Sequence, residues 1–97
     1  MRISWSPLAV DRLSEIADYI SRDNPQAAVR WVEAVFKTVQ RLLLFPESGR
    51  CVPEVGRKDI REIIHGNYRI VYRLEAKAIF VLTVRHGKQV LPIDEIP

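Results

Sequence analysis

The sequence predicts an α+β fold of order β-α-α-β-β-β, a two-layer domain in which a helical hairpin packs on a small, mostly antiparallel sheet. Three observations predict it. Apolar residues recur at helical spacing over about residues 7–44, broken once at Asp23-Asn24-Pro25. Three strand-like runs follow over about residues 60–85, joined by connections too short for anything except an antiparallel meander. Finally, the 97 residues match one domain with one modest core, so 1–97 is read as a single unit.

Arg2–Trp5 is a short strand. Ser6-Pro7 then begins a helix, with serine positioned as N-cap and proline at the first helical position. Ala9, Leu13, Ile16, Ala17 and Ile20 carry its apolar stripe to about Ser21. Asn24 caps a second helix that runs from Pro25 to about Leu44, with Ala28, Trp31, Val32, Val35, Val39, Leu42 and Leu43 facing inward. Trp31 is read as an anchor of that core. Pro46 stops the helix, and residues 46–58 form a long loop holding two prolines and two glycines. Ile60–Ile64, Tyr68–Leu74 and Ile79–Arg85 are the strands of the meander, and the tail from Val90 to Pro97, with its two prolines, is expected to be irregular.

Alternation across a strand puts Tyr68, Ile70, Tyr72 and Leu74 on one face, and Arg69, Val71 and Arg73 on the other. The first face packs on the helices. The second is expected to stay open to solvent or a partner, so function is sought there. The same parity groups Arg85 with Thr83 and Val81, opposite Phe80, Leu82 and Val84.

Charge is unevenly placed: net +1 over residues 1–45, +4 over 46–90 and −2 in the last seven. A basic excess beside the strands suits an anionic partner, either nucleic acid or an acidic protein segment. Nothing in the sequence reads as a secretion signal or a membrane span, and a lone Cys51 fits a reducing compartment, which together predict a cytoplasmic protein. Two histidines and one cysteine at scattered positions give no metal site, and no glycine-rich phosphate loop or nucleophile elbow is present, so neither a metal nor a cofactor is expected. Any chemistry would therefore fall to arginine, lysine, tyrosine or histidine. RNA cleavage by 2′-hydroxyl attack needs cations and a proton shuttle, which Arg69, Arg61, Arg73, Arg85 and His86 could supply. Alternatively, these arginines pair with Glu62, Glu75 and the acidic tail.

Taken in order, Trp5-Ser-Pro-x-Ala9, Asn24-Pro25-x-Ala-Ala28, Phe45-Pro46-x-x-Gly49-Arg50, Ile60-Arg61-Glu62, Tyr68-Arg69-Ile70-Val71-Tyr72 and Val84-Arg85-His86-Gly87-Lys88 resemble the RelE/ParE superfamily of toxins from bacterial type II toxin–antitoxin modules, over about residues 3–89. The resemblance implies growth inhibition, a role in plasmid stabilisation, and neutralisation in a hetero-oligomer by a cognate antitoxin. The antitoxin's C-terminal segment would order along the helical hairpin and across the sheet. RelE-like members of the superfamily cut messenger RNA on the ribosome; ParE-like members inhibit DNA gyrase without nucleolytic chemistry. By resemblance Arg69 matches a catalytic arginine of the RelE-like branch, with Arg61, Arg85 and His86 as its companions if this chain is an endoribonuclease. Against that branch, Glu62, Ile63 and Ile64 stand where clustered lysines are usual, and Gly87-Lys-Gln-Val-Leu-Pro-Ile93 brings no tyrosine. The ending is closer to the ParE-like branch, which implies gyrase inhibition. A module that binds antitoxin without toxicity is a third reading.

Overall fold

A computed structural model describes all 97 residues. The elements in order are β1 (Arg2–Trp5), α1 (Pro7–Asp23), α2 (Pro25–Gln40), a 3₁₀ turn (Arg41–Leu43), β2 (Arg50–Cys51), β3 (Ile60–His65), β4 (Tyr68–Leu74), β5 (Ala78–His86) and a 3₁₀ turn in the tail (Ile93–Glu95). The caps behave as the sequence indicates. Ser6 Oγ accepts from the Ala9 amide at 3.0 Å and also donates to the Leu82 carbonyl at 2.9 Å, tying the start of α1 to the sheet. Asn24 serves both helices: its amide donates to the Ile20 carbonyl, closing α1, and its Oδ1 accepts from Ala27, opening α2. The second helix ends earlier than expected, at Gln40, because its last turn tightens to 3₁₀ on the approach to Pro46.

The sheet order is β1-β5-β4-β3-β2, with β1 parallel to β5 and every other pair antiparallel. Both helices lie on one face. Ala9 and Leu13 of α1, and Val35 and Val39 of α2 with Leu42, meet Ile70, Tyr72, Ile79, Val81 and Val84 in the main core. Trp31 packs against this core, its ring edge-on to Tyr68 at 5.2 Å between centroids.

Two expectations are corrected. First, strand parity fails in β5. Val71 faces Thr83 but Tyr72 faces Val81, so Leu82 is an extra residue in the register, a bulge. It lets Ile79, Val81 and Val84 all point at the helices, while Phe80 and Leu82 join Thr83 and Arg85 on the far side. Second, the far face is not open. Val52, Ile60, Val71, Leu82 and Leu91 form a second buried cluster there, flanked by Val55, Phe80 and Ile96. The long loop and the tail supply Val52, Val55, Leu91 and Ile96, so they cover the surface expected to face solvent. The reason is hydrophobic: Val71 and Leu82 make that face apolar at its centre, and exposing it would forfeit roughly 1.5–3 kcal/mol per large side chain.

Candidate functional site

Arg69 lies where expected, on the sheet face away from the helices, but is only 5% exposed. All three nitrogens of its guanidinium are engaged. Nε donates to Glu62 Oε1 on the adjacent strand, and Nη1 and Nη2 donate to the two oxygens of Glu54 in the covering loop, each at 2.8 Å. Nη1 also reaches the Gln89 carbonyl at 3.3 Å. Glu62 is itself buried and takes a second donor, Arg50 Nε, at 2.8 Å. Glu54 Oε2 in turn accepts the Leu91 amide of the tail at 3.0 Å. One guanidinium thus links loop, sheet and tail, and its charge is met by two carboxylates.

The remaining predicted site residues are dispersed. Arg85 is the cross-strand partner of Arg69 and shares its face, but donates to Glu95 Oε1 of the tail at 3.1 Å. Arg61 lies opposite Tyr72, on the helix side of β3, and its donors go to the carbonyls of Glu47, Gly49 and Lys58. His86 is opposite Tyr68, with the rings 5.6 Å apart, and its Nδ1 accepts from the Lys88 amide at 3.2 Å. Arg73 stacks over Phe80 at 5.0 Å and pairs with Glu75. Arg69 and Arg85 are therefore brought together, whereas Arg61 and His86 sit on the opposite face of the sheet. Of the alternative pairings read from sequence, Glu62, Glu75 and the tail's Glu95 all occur. Glu54 and Arg12 were missed. Both partner across large sequence separations, through a loop and a helix whose docking no periodicity sets.

A second surface runs along α2 and the 3₁₀ turn that follows it. Val29, Phe36 and Leu43 recur every seven residues along one line and are 58%, 41% and 42% exposed. Shallow grooves border this line. One lies between the helices, beside Ala17, Ala28 and Val32; the other lies beside edge strand β1, at Ile3, Trp5 and Val39. Arg30, Lys37 and Arg41 lie beside the line and form no ion pair, and outnumber the two carboxylates, Asp18 and Glu33, that border the groove between the helices. An apolar stripe with cationic margins is the complement of an acidic amphipathic segment.

The family described as "ParE toxin of type II toxin-antitoxin system, parDE" matches residues 3–91. The chain belongs to the ParE toxin family. A relative from Sinorhizobium fredii, provisionally named toxin Y4kP, is 39% identical over 94 residues, covering 94% of this chain and 93% of its own. Two solved structures share the fold. A chain from the chromosomal ParDE system of Pseudomonas aeruginosa superposes with a TM-score of 0.74 at 21% identity, covering 91% of this chain and 97% of its own. A chain of the RelBE2 toxin–antitoxin complex of Mycobacterium tuberculosis gives 0.57 at 20% identity, covering 88% and 95%.

In this ParE-family chain the ion cluster has a measurable acid signature. The hydrogen bonds from Arg69, then that from the Leu91 amide, hold the Glu54 carboxyl down at about 2. A depressed carboxyl stabilises the fold above its unfolded-state value and loses that contribution as pH falls through the folded one. Glu54 is a quarter exposed, so the ~3 kcal/mol implied by the full shift is discounted for screening to about 2 kcal/mol. Urea unfolding should therefore show stability declining from about pH 5 toward pH 2, and Glu54→Gln should flatten that decline. An unchanged acid limb in Glu54→Gln would assign the dependence to other carboxylates.

Proposed function

We propose that this ParE-family toxin acts in the cytoplasm as one 97-residue domain, inhibits DNA gyrase by binding, and cuts no nucleic acid itself. The observation that carries this reading is the state of Arg69. A guanidinium that gives four of its five donors to Glu54, Glu62 and the Gln89 carbonyl, with two carboxylates meeting its charge, is poorly placed to stabilise the charge that develops on a phosphate during strand cleavage. Dispersal of Arg61 and His86 to the other face supports the same conclusion, since a general acid or base must reach the proton it transfers. Lys58, Lys77 and Lys88 make no ion pair and leave positive charge free for an acidic surface. The apolar line Val29–Phe36–Leu43 with its cationic margins supports neutralisation by a cognate antitoxin whose disordered acidic segment folds on binding. The hetero-oligomer that results would hide the toxin from its target.

Purified toxin at micromolar concentration should block gyrase supercoiling, and adding the antitoxin should restore it. Protein synthesis in a cell extract should continue at the same toxin concentration. Undiminished supercoiling together with arrested translation would transfer the target to the ribosome. Undiminished supercoiling with normal translation would leave antitoxin binding as the remaining activity.

A further inference from the structure

Glu95 is a carboxylate from the tail held where an external anion could sit. Arg12 of α1 donates to its Oε1 from Nε and Nη2, at 3.2 and 2.9 Å. Arg85 of β5 donates to the same oxygen at 3.1 Å, and Thr83 Oγ1 lies 3.3 Å from Oε2. Two guanidiniums and a hydroxyl, from α1 and β5, converge on one carboxyl group of the tail whose side chain is only 7% exposed. Arg85 keeps a further donor in reserve, since its buried Nε has no acceptor. This cluster borders a cleft between α1 and the ends of β4 and β5, whose wall includes Tyr19, Asn67, Tyr68 and His86, and also Glu15, which accepts from Arg12 Nη1 at 3.2 Å. Tyr68 and His86 present a ring pair there, and Tyr19 is 67% exposed.

We propose that this cleft is a binding site for a nucleoside phosphate, with Glu95 as its resident competitor. Arg12 and Arg85 take the phosphate oxygens; Tyr19, Tyr68 and His86 flank the base. The chemistry favours phosphate over carboxylate on both counts that distinguish them. A phosphate monoester carries about −1.5 to −2 charges and three acceptor oxygens, against one charge and two oxygens for Glu95. Planar bases gain from aromatic neighbours, which a lone carboxylate does not use. Glu95 holds the site because it is tethered, which gives it an effective concentration on the order of millimolar. Occupancy by ligand therefore requires the tail to lift from Arg12 and Arg85. The proposal is independent of the gyrase reading, and its test uses the purified chain alone.

The measurement is titration calorimetry of 5′-AMP, adenosine, inorganic phosphate and the dinucleotide ApA against wild type, Glu95→Gln and Asp94→Asn. Glu95→Gln keeps the side-chain shape while removing the competing charge, and should bind AMP at least tenfold more tightly than wild type. Asp94→Asn makes the same change in net charge one residue away, on an exposed side chain, and should bind like wild type. Adding Arg85→Gln to Glu95→Gln should abolish the gain. Comparison of AMP with ApA tells a free monoester from a diester within a strand. Equal gains in Glu95→Gln and Asp94→Asn would overturn the proposal, as would a gain that survives Arg85→Gln. Phosphate binding as tightly as AMP would overturn the nucleoside assignment. Should Glu95→Gln fail to fold, wild type at millimolar AMP serves instead: selective NMR shifts at Tyr68 and His86 support the site, and their absence refutes it.

Discussion

Replacing Arg69 with alanine should unfold the protein before it reveals anything about catalysis. The substitution leaves Glu62, 1% exposed, with the exposed Arg50 as its one remaining cation, and strips the loop residue Glu54 of its cationic partner. Breaking one member of a buried ion cluster typically costs about 3–5 kcal/mol, because the stranded charge stays out of water without compensation. For a domain of this size that is a fall in melting temperature of roughly 15 °C or more. Arg69→Met combined with Glu62→Met should recover about 2 kcal/mol or more relative to Arg69→Ala, since the buried Glu62 carboxylate is then no longer stranded and only the solvent-reaching Glu54 and Arg50 lack partners. Thermal unfolding of the single and double variants decides the matter. A melting temperature for Arg69→Ala within a few degrees of wild type would show that Arg69 is dispensable to the fold, and would reopen a direct role at a target. Loss of toxicity in Arg69→Ala carries meaning only once its folded fraction is known.

The second large effect belongs to Tyr72. Its ring is 0% exposed in the main core, and its hydroxyl donates to the Pro46 carbonyl at 2.8 Å while accepting from the Gly49 amide at 3.1 Å. Tyr72→Ala should cost about 3–5 kcal/mol from the cavity alone. Tyr72→Phe isolates the hydroxyl and should cost about 1–3 kcal/mol, because a buried amide and carbonyl lose their partner. The same contact explains Gly49. A Cβ there would lie 2.5 Å from the Tyr72 hydroxyl and 2.7 Å from the Glu62 carbonyl, and the latter is backbone that cannot swing away. Gly49→Ala should therefore destabilise as well, through overpacking. Denaturant midpoints of the three variants test this, and a near-wild-type midpoint for Tyr72→Ala would contradict the assignment of faces in β4.

These cases show how far the sequence reaches. Tyr68–Leu74 is bounded by turn residues and alternates cleanly, so both its limits and its two faces were legible. Ser6, Asn24 and Pro25 marked the helix ends because capping is a local hydrogen bond between near neighbours. Strand β5 was legible as a strand, yet its faces were misassigned from Leu82 backward. A bulge is decided by which residues fit beneath the helices, and alternation alone cannot place it. The candidate site suffered the same limit. Arg69 and Arg85 were rightly placed on one face, but what meets them comes from the loop and the tail, segments without period.

Local patterning determined the order of elements, the caps, the meander and the side of β4 that rests on the helices, since each depends on residues a few positions apart. Tertiary structure alone decided that the far face is covered, that Arg69 is neutralised by Glu54 and Glu62, and that Glu95 closes the pair Arg12–Arg85. Those contacts join residues 7 to 83 positions apart, and their strength comes from exclusion of water, which exists only once the chain has folded.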